Sequence, residues 1–323
     1  MVFDSAGLAL NILTIGVTSL WIIVALLSVL YSFGLRYLNG FSALNQSLLL
    51  WAAALVPWFV AGASAFLLLA PELLDIQFGS LSNYIHWHHV NVFHILSWHG
   101  VLLLLFCALF LVVSTTKLLS AMRTHSNLRQ LDYFSLLQEL DGGALLIDSD
   151  TPQAFTAGIW SPRSYLTVGL RNMLSKEALS IVQEHELSHQ RRRDPLQKYV
   201  FSLLCSIYPK AMGVRLNDAF SLALEQCADQ SALRVIGDKT LVSKTILQVA
   251  KLNNTRAGSG LVSPAKCGFT SNAITLRIQY LLGTEPTKSF PLIPLSISTL
   301  LMIAVCTMSV DFFHHSIETL FSH

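Results

Sequence analysis

The chain has 323 residues, 53% of them hydrophobic and only 12% charged, whereas soluble domains carry about a quarter charged residues. An ordinary soluble domain is thereby excluded. Direct nucleic acid binding is not expected either, since the net charge is only +2 and the basic residues answer to membrane topology.

No Asp, Glu, Lys or Arg lies between Asp4 and Arg36, Arg36 and Glu72, Asp75 and Lys117, or Lys288 and Asp311. Each gap can hold the ~20 apolar residues that cross a bilayer. Four transmembrane helices are expected, at about Leu8–Leu35, Leu44–Ala70, Val92–Thr116 and Pro291–Val310. The first lacks a basic n-region and a small-residue cleavage site, so it does not read as a removable signal peptide. Placing Lys117–Lys288 in the cytoplasm puts all 21 Lys and Arg on that side, Arg36 included, while the outer segments carry only acidic charges. The positive-inside rule therefore fixes the expected orientation. Five cysteines, three of them in that cytoplasmic stretch, imply no disulfide framework.

Between the second and third spans lies Pro71–Asn91, rich in His and Trp. His86, His88 and His89 fall here, followed by His94 and His99, with His314, His315 and His323 after the last span. Two readings stay open: an interfacial belt of amphipathic rings, or an external sensor of metal ions or of protons.

Beyond the third span, Leu128, Leu131, Phe134, Leu137 and Leu140 form an apolar stripe that predicts a helix over Asn127–Leu140. Three short β-like runs follow, Ala144–Asp148, Ala154–Ile159 and Tyr165–Val168, separated by Ser149–Pro152 and Ser161–Pro162. A sheet edge can pair with an extended peptide. The run Phe155, Thr156, Ala157, Gly158 and Ile159 is expected to supply that edge for a substrate.

A helix capped by Ser175 then carries His185-Glu186-Leu187-Ser188-His189 and stops at the polar run before Pro195. Four residues apart, His185 and His189 point the same way and can grip one zinc ion, with Glu186 placed to take a proton from water. Asp194, beside the Arg run, reads as an exposed structural ion-pair partner. Leu196–Tyr208 is apolar but too short to span, which fits a buried or membrane-resting helix. The next helix, Leu216–Val235, presents Glu225 as third metal ligand, 36 residues after His189. It also presents Asp229, one turn on, to orient a ligating imidazole, His185 being the expected one. Leu241–Leu252 is one more amphipathic helix, Asn253–Thr270 a loop rich in Gly, Ser and Asn, and Ser271–Leu282 a last helix before the fourth span.

Taken together, Pro152–Gly158 ahead of Ser161–Pro162–Arg163, His185–His189 with Arg192–Arg193–Asp194, Glu225–Asp229, and Arg277–Leu282 before the final span resemble the BlaR/MecR-type integral-membrane metallopeptidases. The resemblance covers most of the chain. It implies a mainly α membrane protein of the bacterial cytoplasmic membrane, with an α+β gluzincin-type zinc protease domain inserted between spans three and four. The division would be 1–116, 117–288 and 289–323. It further implies Zn2+ as cofactor, and an external signal that activates the protease against itself or a winged-helix repressor. A homodimer is left open. Relatives that sense beta-lactams carry a penicillin-binding domain after the last span. Only Asp311–His323 stand there in this chain, so beta-lactam sensing is not expected.

A rival reading is a CAAX-prenyl-protease or HtpX-type enzyme of quality control or processing. HtpX-like chains place spans between the second histidine and the glutamate, an interval that here holds only Leu196–Tyr208. A receptor with a structural zinc site is the reading from another class, and it leaves Glu186 without a task.

Overall fold

A computed structural model describes residues 2–74, 92–139, 143–254, 271–283 and 288–321. A two-residue strand β1 (Val2–Phe3) leads into helix α1 (Asp4–Gly34). A short 3-10 segment, Leu35–Gly40, turns the chain into α2 (Ala43–Leu74). Strand β2 (Val92–Phe93) pairs antiparallel with β1 and precedes α3 (Trp98–Phe134). Then come strands β3 (Ser135–Glu139), β4 (Leu145–Ile147), β5 (Ala154–Ala157) and β6 (Arg163–Thr167). Six helices follow: α4 (Val168–Met173), α5 (Lys176–Arg192), α6 (Asp194–Leu204), α7 (Lys210–Ile236), α8 (Lys239–Asn254) and α9 (Ser271–Leu282). The last helix is α10 (Leu292–Phe321).

Helices α1, α2, α3 and α10 are each long and apolar enough to cross a membrane. Helices α1 and α2 meet the expected bounds closely, and α10 starts where expected but runs on past Val310 to Phe321. The third starts later than expected, because Val92 and Phe93 are taken up in pairing with Val2 and Phe3 and the helix begins only after Ser97. It also runs on to Phe134. The expected separate helix over Asn127–Leu140 is thus, as far as Glu139, the end of α3 followed by β3, whose pairing with β4 takes Ser135–Glu139 out of helical geometry; Leu140 lies outside the described residues.

Pro57 lies inside α2 and has no N–H to give the carbonyl of Ala53 one turn back. The hydroxyl of Tyr208, in the connection from α6 to α7, donates to that carbonyl at 2.8 Å. A group that would be costly to leave unpaired in apolar surroundings is thereby satisfied. Around it lies the largest buried cluster, with Leu20, Ile23 and Leu27 from α1, Leu50, Ala54 and Val60 from α2, and Ile303 from α10. It also takes in Phe201, Tyr208, Met212, Leu216, Phe220 and Leu224 from the α6–α7 region. Phe201 stacks on Phe220 with ring centroids 4.1 Å apart, and Trp51 of α2 meets each of them edge-on at 5.6 Å. The core therefore does not stop at residues 116 or 288. The apolar helix expected at Leu196–Tyr208 is α6 plus the 3-10 turn Cys205–Ile207, and it rests against span α2. Lys117 near the middle of α3 donates to the carbonyl of Ser202 at 2.8 Å, which pins that span to α6 as well.

Four strands form one mixed sheet in the order β3-β4-β6-β5, with β4 and β6 parallel and the other pairs antiparallel. β5 stands at an edge, as expected of the Phe155 run, and pairs Phe155 with Tyr165 and Thr156 with Ser164. Gly158 ends the strand at a φ of +105°, and a Cβ there would come within 2.6 Å of the Ser161 carbonyl, so the turn requires glycine. The expected strand Tyr165–Val168 ends one residue early, because the Thr167 hydroxyl accepts the Leu170 N–H and starts α4.

Candidate metal centre

Helix α5 begins as its sequence predicts, with Ser175 accepting the Ala178 N–H at 3.2 Å and Glu177 in the first turn. Its buried stripe contains Ala178, Ile181, Val182, Glu186 and His189, which turns the two histidines and Glu186 inward. Pro209 at the N-cap starts α7 six residues before the expected Leu216. The packing of α7 along α5 brings Glu225 and Asp229, 9% and 1% exposed, against the histidine face.

His185 Nε2 lies 3.2 Å from His189 Nε2 and 3.4 Å from Glu225 Oε2, and the latter is 3.7 Å from His189 Nε2. A tetrahedral ion with bonds of about 2.0–2.2 Å places its donors about 3.3–3.6 Å apart. The triangle fits. The second ring nitrogens face outward to carboxylates: His185 Nδ1 to Asp229 Oδ1 at 3.0 Å, His189 Nδ1 to Asp194 Oδ2 at 2.6 Å. Each carboxylate fixes the tautomer that leaves Nε2 free for a metal. This group can hold a metal ion, and among the described residues no other His, Cys, Asp and Glu side chains form such a group.

Asp194 differs from its expected role. It is 1% exposed, and it orients His189 while Arg192 Nε lies 3.4 Å from its other oxygen. The reversal that achieves this is made at Arg193, whose φ of 54° is left-handed; Pro195 then starts α6. Two cations also went without a role in the sequence reading. Arg277 of α9 donates to Asp229 Oδ2 through Nε at 2.7 Å and to Oδ1 through Nη2 at 2.5 Å, and its Nη1 stands 3.4 Å from Glu225 Oε2. Lys198 Nζ is 3.4 Å from Glu225 Oε1. A signal for Arg277 was present: it lies between Ile274 and Leu281 at helical spacing, a charge set within a buried stripe.

Glu186 is 8% exposed. The Thr156 hydroxyl lies 2.8 Å from its Oε2 and 2.9 Å from its backbone carbonyl, so one proton serves either acceptor. Thr156 thus faces the metal helix and ties β5 to it. Phe155 stacks on Tyr165 at 5.3 Å, while Ala157 and Gly158 continue the edge into its turn. Of the histidines at the expected outer face, His94 is exposed and His99 packs against Phe93 and Trp98. His86, His88 and His89 lie outside the described residues, as do the side chains of His314 and His315, and so does the loop over 255–270.

Burial alone would raise Glu225, but His189 and Lys198 outweigh it and hold the carboxyl well below its ordinary range. For Asp229, burial is likewise overcome by Arg277. Burial works to lower both histidines, yet Asp229 and Glu225 raise His185, and Glu225 with Asp194 lifts His189 to about 10. Each folded value lies above the unfolded one, about 6.5. That contribution to stability is therefore complete below the unfolded value and is lost as pH rises through the folded one. Without metal, the chain is expected to lose melting temperature as pH climbs towards the His189 value of about 10. Metal competes with protons for the same nitrogens, so its affinity should move the opposite way and fall as pH is lowered. Melts with and without a chelator across this range check the two signs.

No protein-family model matches the chain, and no curated protein or solved structure matches it.

Proposed function

We propose that the chain is a zinc metalloendopeptidase of the bacterial cytoplasmic membrane, with its active site on the cytoplasmic side. The observation that carries this reading is the buried donor triangle of His185, His189 and Glu225, with Glu186 next to the first donor and an edge strand fastened to the same helix. Two imidazoles and one carboxylate at tetrahedral spacing suit zinc. When bound, such an ion polarises a peptide carbonyl and lowers the pKa of water towards ~7.

The chain's own residues supply the rest. A peptide lies along β5 as an added strand, held through backbone groups of Ala154 and Thr156, because those of Phe155 and Ala157 face Tyr165 and Arg163 of β6. Glu186, oriented by the Thr156 hydroxyl, takes a proton from water and passes it to the leaving amine. Asp229 and Asp194 keep both imidazoles aimed at the ion. The placement of all 21 Lys and Arg on one side supports the orientation. The resemblance of the motif order to BlaR/MecR-type peptidases supports a signalling role, with a winged-helix repressor or the chain itself as substrate.

Proteomics of new peptide N-termini in cells carrying the wild-type or the Glu186→Gln chain tests the reading. At least one terminus is expected in the first and missing from the second. Identical sets of termini would remove the peptidase assignment.

A further inference from the structure

The metal centre is tied to the membrane helices by a contact the proposed reaction does not use. Arg277 is 5% exposed, and a buried guanidinium is costly unless paired and hydrogen-bonded. Its fork takes one oxygen of Asp229 with Nε and the other with Nη2. That grip fixes the plane of the carboxylate whose Oδ1 also meets His185 Nδ1. The remaining nitrogen, Nη1, approaches Glu225 Oε2, the oxygen that faces both imidazoles, while Lys198 takes Oε1. Arg277 therefore helps decide which carboxylate oxygen is offered to an ion and how one imidazole is turned.

One turn further along α9, the Tyr280 hydroxyl accepts two hydrogen bonds, each 2.8 Å long. One comes from the backbone N–H of Ala43, the other from Nε2 of Gln230. Ala43 is the first residue of α2, so its N–H has no partner within that helix. Gln230 is the neighbour of Asp229 on α7. A single side chain thus joins the start of the second span to the helix that carries the third metal donor. The segment that follows α9 returns to the same place: Phe41 bridges Lys288, whose Nζ stands 5.6 Å from the Phe41 ring centre.

We propose that α9 is a positioning clip, in which Arg277 sets the carboxylates of Asp229 and Glu225 for a metal ion while Tyr280 makes that setting depend on how span α2 is seated. The inference rests on the metal-centre reading and not on peptide hydrolysis. A shift of α2 relative to α7 strains the Tyr280 contacts, moves α9 and withdraws the guanidinium from both carboxylates. Arg277 is a positioning residue in this scheme, because it acts through Asp229 and Glu225.

The test is metal affinity of the full chain in lipid nanodiscs, with Zn2+ measured against a competing chelator and Co2+ read by its visible absorption. Arg277→Gln should weaken Zn2+ binding by about 10–100-fold, as loss of a partner behind the ligands does, and should change the Co2+ bands. Arg277→Lys keeps the charge but not the fork, and should recover only part of that loss. Tyr280→Phe leaves every group near the ion in place. It removes both hydrogen bonds to the hydroxyl and should still weaken binding, by about fivefold or more, at least the weight of one neutral hydrogen bond. Should Arg277→Gln fail to fold, the Tyr280→Phe result decides. Wild-type affinity and an unchanged Co2+ spectrum in both Arg277→Gln and Tyr280→Phe, or in Tyr280→Phe when it alone folds, would overturn the clip and leave the metal centre standing. A wild-type chain that takes up neither ion would overturn both.

Discussion

Glu186→Gln is expected to keep the ion and to lower peptide hydrolysis by about 10²–10⁴-fold, the range attributed to a positioned general base. The amide has nearly the shape of the carboxylate, and its oxygen can still accept from Thr156, whose hydroxyl lies 2.8 Å from Oε2 in the wild type. Glu186 is not one of the three donors, so the triangle should survive. What disappears is the negative charge that makes the oxygen basic enough to receive the proton. Metal content and single-turnover cleavage measured on the same preparation separate the two consequences. Hydrolysis at the wild-type rate would strip Glu186 of its role. Loss of the ion would mean that this carboxylate binds metal.

His189→Ala is expected to lose ion and hydrolysis together. It deletes a corner of the triangle, so the fall in affinity should exceed the about 10–100-fold seen when only an outer partner is removed. It also strips Asp194 of its shortest hydrogen bond, 2.6 Å long, in a place where the carboxylate is 1% exposed. Arg192 and Gln197, each 3.4 Å away, remain as partners. A stability cost of about 1–3 kcal/mol follows from the imperfect pairing left behind. Metal analysis and a thermal melt in the presence of chelator resolve the two effects, since the second persists without metal. Retained stoichiometric zinc in this variant would place the ion elsewhere.

Features governed by neighbours in sequence were legible from the sequence alone. Ser175 caps α5 because a serine oxygen reaches the N–H three residues on, and Ser271–Leu282 forms a helix over the residues its pattern marks. The four long apolar helices follow from charge-free runs. The donor triangle was legible because one-turn spacings on two helices already restrict where side chains point. Features made by partners distant in sequence escaped. Asp194 meets His189 only through the left-handed turn at Arg193, a conformation that nothing in an arginine announces. Arg277 finds Asp229 across 48 positions of sequence. The apolar stripe ending at Leu140 has helical spacing, yet β4 draws Ser135–Glu139 into the sheet, an instance of pairing overriding local preference.

The hydrogen bond from Tyr208 to Ala53, set beside the stacked rings of Phe201 and Phe220 that meet Trp51 edge-on, bears on how the chain could be handled at the bench. A fragment trimmed to residues 117–288 would turn Phe201, Met212, Leu216 and Phe220 out into water as one contiguous oily surface. Patches of that kind drive self-association. Such a fragment is expected to precipitate or to demand detergent, whereas the uncut polypeptide keeps the half that carries the donor triangle folded by lending it part of the long apolar helices as an inner wall.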